Sequence, residues 1–271
     1  MELWIALLVG GMAGAHTSTW GMFKDCPHEG FTWRKYLRST FLSAGLGIAW
    51  QAAVALPLRS AGARVVLFGL VYVTERGLLE LYKGYLREED QTKYFIPMQL
   101  HFRGRVVRDR RVRWSVAGAC VCVVLLMAWA LTALERRALA PLAAVLCIGS
   151  VGGWLSAFGG AAKDAPIEGF ETLKFFRSPV LALGWALVAA CFTTRYLFVA
   201  LCGLGYTVAT IETYKTFFFP SRPRGKFAGK PILFPHLLRW RYRFTPLYAG
   251  IWLAILLNLA LAFREPAQGL L

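Results

Sequence analysis

Two short stretches hold most of the residues in this chain that could do chemistry. Lys24 to Ser39 reads KDCPHEGFTWRKYLRS, and Lys163 to Ser178 reads KDAPIEGFETLKFFRS. Laid over each other they share Lys24/Lys163, Asp25/Asp164, Pro27/Pro166, Glu29/Glu168, Gly30/Gly169, Phe31/Phe170, Lys35/Lys174, Arg38/Arg177 and Ser39/Ser178. Each copy therefore groups two carboxylates with three cations. Such cations suit an anionic group, and near a membrane surface a phosphate or lipid headgroup. The carboxylates would orient the cations or hold a divalent ion. The bland alternative is a charge-paired loop that locks neighbouring helices together. Lys35 and Arg38, like Lys174 and Arg177, are three apart and share one helix face. The Asp-x-Pro spacing predicts a break, because proline disfavours helical geometry in the residue before it. Asp25 and Asp164 are then expected to follow one helix and to cap a short new one near Pro27 or Pro166. Gly30 and Gly169 permit a tight turn.

A second group lies inside an apolar run. Arg76 and Glu80 are four apart and can pair on one helix face. Charged residues within a membrane span are costly and face a cavity or a partner. Glu80, Tyr82 and Lys83 recur as Glu212, Tyr214 and Lys215, whereas Glu75 and Arg76 are replaced by Thr207 and Val208. Any site is therefore used unequally by the two copies. Glu80 is expected to meet Lys35 or Arg38, and Glu212 to meet Lys174 or Arg177, each within its own copy. His16, among Thr17, Ser18 and Thr19, corresponds to Leu155 and reads as a hydrogen-bonded packing residue. With four histidines in the chain, haem or zinc ligation is a poor fit, and no resident metal site is expected. The catalytic residues of an enzyme are not specified. If the chain is an enzyme, Asp25, Glu29 and Glu80 would hold Mg²⁺ or act as base.

The elements that must position these groups are apolar. The chain has 271 residues, 57% of them hydrophobic, with 19 Phe and 10 Trp and a mean hydropathy of +0.48. Its apolar runs reach the length of a bilayer span, about 17–25 residues, and are continuous rather than alternating, which argues against a barrel. The predicted fold is an all-α polytopic membrane protein with helices at about 3–22, 39–57, 64–82 and 114–134, then 140–161, 179–193, 196–214 and 245–263. These form two tandem four-helix repeats, 1–138 and 139–271. An even helix count puts the repeats in parallel orientation, related by a pseudo-two-fold along the membrane normal. Ala13-Gly14-Ala15 resembles a signal cleavage site, but no basic segment precedes it. Gly10, Gly14 and Gly21 also recur as Gly149, Gly153 and Gly160.

A net charge of +16 on a soluble chain would suggest nucleic acid. Here it marks basic loops, and no nucleic-acid partner is expected. The stretches on the motif side, which include 83–113 and 215–243, carry 24 of the 31 Lys and Arg. By the positive-inside rule this side is cytoplasmic, in a plasma membrane or bacterial inner membrane, with both termini opposite. Arg103, Arg105, Arg108, Arg110, Arg111 and Arg113 read as topological determinants that touch anionic lipid. So do Arg222, Arg224, Lys226, Lys230, Arg239, Arg241 and Arg243. Tyr94 and Pro97, matched by Phe227 and Pro231, suggest that these stretches lie along the interface. Cys120, Cys122, Cys147, Cys191 and Cys202 read as small core residues.

Three functions fit this pattern. One is a transporter or flippase-like protein for an anionic, phosphate-bearing or lipidic substrate. It predicts a polar cavity between the halves that reaches the bilayer midplane. A lipid-headgroup enzyme predicts a shallow interfacial pocket with carboxylates close together. A non-catalytic assembly subunit predicts paired charges and no cavity. No Walker A loop, dinucleotide fingerprint or nucleophile elbow is present.

Overall fold

The computed structural model describes residues 1–137, 139–220 and 225–271. It is mostly helical. Helix α1 spans Glu2–Glu29, α2 Trp33–Val54 and α3 Ala61–Leu81. A π-helical turn, Tyr82–Leu86, extends α3, and a two-residue hairpin, β1 (His101–Phe102) and β2 (Arg105–Val106), follows. Then come α4 (Arg110–Leu134), α5 (Pro141–Ile148), α6 (Val151–Glu168), α7 (Thr172–Ala190) and α8 (Tyr196–Thr213). A second π turn, Tyr214–Phe218, extends α8. The short α9 (Leu237–Trp240) and α10 (Thr245–Ala262) close the chain.

Five stretches are long and apolar enough to cross a membrane by length and composition: Arg110–Leu134, Pro141–Glu168, Thr172–Ala190, Tyr196–Phe218 and Leu237–Ala262. They mark an integral membrane protein. Helices α1 to α3 fall short of that mark; α3 alone carries Arg64, Glu75, Arg76 and Glu80. Of these, α1 and α3 line the interior, together with α8. Tyr72, Phe68, Leu70, Val71 and Leu67 of α3 are at most 2% exposed and pack against Phe198, Cys202 and Tyr206 of α8.

Small residues set the helix spacing, as expected where lipid gives helices no hydrophobic reason to associate. A Cβ on Gly14 would stand 2.3 Å from the Ser39 carbonyl oxygen, and one on Gly153 would stand 2.5 Å from that of Ser178. Thus α1 lies against α2, and α6 against α7, at backbone contact. At the centre, α3 and α8 cross where a Cβ on Gly205 would meet the Gly69 carbonyl at 2.4 Å. Helix α10 packs on α3 and α1. Its tail returns to cap α3: Glu265 accepts from the amides of Ala61 (2.8 Å) and Gly62 (3.3 Å) and from the Ser60 hydroxyl (2.6 Å). These bonds hold its carboxyl below the ordinary range. Helix α4 touches α8 and the first π turn and is otherwise exposed.

The structure corrects several expectations. The Asp-x-Pro motifs do not break their helices. Pro27 and Pro166 sit inside the last turns of α1 and α6, which stop at Gly30 (φ 75°) and Gly169 (φ 87°). A proline removes only the bond to the carbonyl four residues back, and for Pro27 that carbonyl, Phe23 O, accepts from Arg241 Nη1 at 2.6 Å instead. The helices expected from 39 and 179 begin at Trp33 and Thr172, so the motif lysines and arginines are helical. The single helix expected over 140–161 is two, α5 and α6, separated at Gly149–Ser150. Among the cysteines expected in the core, only Cys202 is buried, and Cys120, Cys122 and Cys147 lie on outward faces. Apolar surface needs no burial in lipid, so hydropathy cannot distinguish core from periphery there.

Candidate functional site

A cavity of about 640 Å³ opens at the end of the bundle where both motifs lie. The structure brings the paired motif cations and carboxylates, with Arg76, Glu80 and Glu212, to its wall: Lys24, Asp25 and Glu29 from the end of α1, Lys35 and Arg38 from α2, and Arg76 and Glu80 from α3. Lys163, Asp164 and Glu168 come from α6, Lys174 and Arg177 from α7, and Glu212 from α8. Along α1 the lining extends to Thr17, Ser18 and Trp20. Thr17 lies seven residues below Lys24, about 10 Å at the helical rise. Beneath it the bundle is closed by aromatic groups. His16 is fully buried, bonds the Tyr72 hydroxyl at 3.0 Å and stacks on Tyr248 at 4.4 Å. Trp20 Nε1 donates to the same hydroxyl at 3.0 Å.

Ion pairing crosses between the halves. Lys24 Nζ meets Glu212 Oε2 at 2.9 Å, and Lys215 approaches the other Glu212 oxygen at 3.6 Å. Arg76 pairs with Glu80 at 2.5 Å. Among the described residues neither glutamate therefore closes a direct ion pair with the cations expected for it, Lys35 or Arg38 for Glu80 and Lys174 or Arg177 for Glu212. The α3–α8 crossing sets Glu212 beside the end of α1, and Lys163 acts on Glu80 from α6 without closing to an ion pair. Lys24 and Arg76 both sit over Trp20, at 5.2 and 5.1 Å from the ring centroid, where its π face favours cations.

In each motif one lysine clamps the two carboxylates. In the first copy it is Lys226, 2.7 Å from Asp25 and 4.0 Å from Glu29. In the second it is the motif's own Lys174, 2.9 Å from Glu168 and 3.8 Å from Asp164. Lys35, Arg38, Lys83 and Lys163 line the cavity with no carboxylate within 4.0 Å among the described residues.

Several wall residues escaped sequence reading as site groups. Lys83 and Lys215 were legible through their repetition, and both sit in the π turns, which recur at functional sites. Lys226 was read only as a topological charge. Tyr94 was read only as part of an interfacial stretch, and Arg87 and Glu89 carried no signal. The two basic stretches meet over the cavity: the Phe95 amide donates to the Lys226 carbonyl at 2.7 Å, and Tyr94 packs on Phe227 at 5.6 Å. Arg222 and Arg224 lie outside the described residues. Burial and the nearby Arg76 guanidinium push the Lys83 ammonium down to about 8. Burial works to raise Glu89, but Lys93, Arg87 and the Tyr94 hydroxyl outweigh it and hold the carboxyl below its ordinary range. Tyr94 is pushed up by burial and by Glu29 and Glu89.

A Mg²⁺ ion fits this arrangement poorly. Asp25 and Glu29 already share the Lys226 ammonium, and Glu80 takes Arg76. Among the described residues no three His, Cys, Asp or Glu side chains converge as a metal requires. No protein-family model, curated protein or solved structure matches the chain.

Proposed function

We propose that this protein is a membrane carrier, of transporter or flippase type, for a phosphate-bearing anion held in the cavity between two four-helix repeats. The observation that carries the reading is the set of four cations, Lys35, Arg38, Lys83 and Lys163, that line one cavity without carboxylate partners. Lys83 and Lys163 are half-buried, and cations in partial burial attract an anion more strongly than in water; Lys35 and Arg38 are exposed at the rim. The cavity draws walls from both halves, which suits a pathway near the axis between parallel repeats. On this reading all eight long segments span, the cavity opens to the cytoplasm, and the aromatic floor around His16 and Tyr72 closes the other side. The assembly-subunit reading predicted paired charges and no cavity. The headgroup-enzyme reading assigned Asp25, Glu29 and Glu80 as base or metal ligands, and Lys226 and Arg76 already engage them.

Thermal unfolding of the purified full chain tests this. Dimethyl phosphate and phosphatidylglycerol nanodiscs serve as soluble and lipid phosphodiester probes. Stabilisation by either is expected, and the K83M/K163M pair should weaken it at least about tenfold, the scale of one lost charge-assisted contact. Stabilisation by dimethyl phosphate assigns a soluble substrate, and stabilisation by the lipid alone assigns a headgroup. No stabilisation by either would refute the cavity as an anion site. Proteoliposome uptake, or movement of the lipid between leaflets, then reports carriage. Cysteines placed at exposed Arg34 and Arg59 should label from opposite sides.

A further inference from the structure

Glu75 takes no part in the ion pairs of the cavity. Its side chain is 0% exposed, and among the described residues neither carboxyl oxygen has a hydrogen-bond partner. Ser39, which lines the cavity, turns its hydroxyl toward this carboxyl without reaching hydrogen-bond geometry. Three cations act on Glu75: Arg76 beside it, Lys83 two turns along and Arg38 from α2. All three also line the cavity. The other titratable groups at this level are already engaged. His16 bonds Tyr72, Lys24 bonds Glu212, and Glu80 bonds Arg76.

A carboxylate in this position depends on cations that it does not touch. An anion entering the cavity draws on the same cations and cancels the field that favours charge on Glu75. The carboxylate is then better off protonated. Linkage makes the effect mutual, so a proton on Glu75 favours the anion by the same factor. We propose that Glu75 is the proton-carrying group beside the cavity: each bound anion is accompanied by one proton taken up from the solvent onto a Glu75 oxygen, and the two leave together. The inference rests on the cavity being the anion site. Only the first copy supplies such a group, since Thr207 stands at the matching place in the second, so one proton accompanies each anion.

The test is the pH dependence of anion affinity, measured on the full chain in nanodiscs with dimethyl phosphate or phosphatidylglycerol. Neither probe titrates between about pH 5 and 7, and Lys83 stays cationic there. Wild-type affinity should rise toward low pH, by up to about tenfold per pH unit for one linked proton. The E75Q variant should bind with a flat profile. A wild-type measurement stands beside it in case the variant does not fold: infrared difference spectra should gain a protonated-carboxyl carbonyl band when the anion binds. Binding whose pH profile is unchanged in E75Q, or wild-type binding without the new band, overturns this inference and leaves the anion cavity standing. Absence of anion binding in wild type overturns both.

Discussion

The two motifs end their helices alike and are covered differently. Each runs through its proline and stops at a glycine of positive φ whose amide bonds the carbonyl four residues back, Gly30 to Cys26 and Gly169 to Ala165. The end of α1 is then sealed by the segment that follows α8. The amides of Leu233 and Phe234 donate to the Pro27 carbonyl, His28 bonds the Pro231 carbonyl, and Phe31 packs under Trp240 and Phe244. The end of α6 receives much less. His101 bonds the Lys163 carbonyl at 3.1 Å and Gly104 approaches Ile167, while Phe170 stays 60% exposed. The covering segments explain this. Residues 217–244 supply Phe227, Phe234, Trp240, Tyr242 and Phe244, whereas residues 103–113 supply arginines. Local residues therefore set the motif's backbone, and tertiary cover sets how firmly it is held.

Removing that cover at its most buried point should have the largest effect. Arg241 is 6% exposed and donates to the carbonyls of Phe23 and Pro220. R241M strands the carbonyl that Pro27 freed and should cost about 3 kcal/mol, read as the unfolding temperature in detergent. R105M, in the exposed segment over the second motif, should stay within about 0.5 kcal/mol. Equal effects would mean that the two covers are equivalent.

The matched lysines sharpen the contrast. K24M leaves Glu212 in a partly buried site with Lys215 alone and should cost about 2 kcal/mol of stability, much of it restored by K24M/E212Q. K163M removes no ion pair and should leave stability within about 0.5 kcal/mol, while lowering phosphodiester affinity about tenfold. A stability loss in K163M equal to that of K24M would break the distinction.

The smallest effect concerns pH. Lys83 is depressed to about 8, below its usual 10.5. The unfolded chain binds the extra proton between these values, so this group adds stability as pH rises through that window. Anion binding needs the charged form, so affinity should fall as pH rises above about 8. K83R should remove both slopes, and a slope that persists in K83R would assign them to another group.

The sequence by itself determined the helical, membrane-bound character of the chain, the doubled motif and its glycine stops. It also placed on one list the repeated cations and carboxylates that line the cavity from the two motifs, though not Glu171. These follow from local chemistry: hydropathy over a span, side-chain periodicity, and the conformational freedom of Gly30 and Gly169. It did not reveal that α1 and α6 continue through their prolines, that Glu212 takes Lys24 across the halves, or that Asp25 takes Lys226. The partners concerned are 188 residues apart for Lys24 and Glu212, 201 for Asp25 and Lys226, and 218 for Phe23 and Arg241. A freed carbonyl or a buried carboxylate needs a partner, but composition cannot say which one. The α3–α8 crossing and the packing of residues 225–244 over α1 decided that.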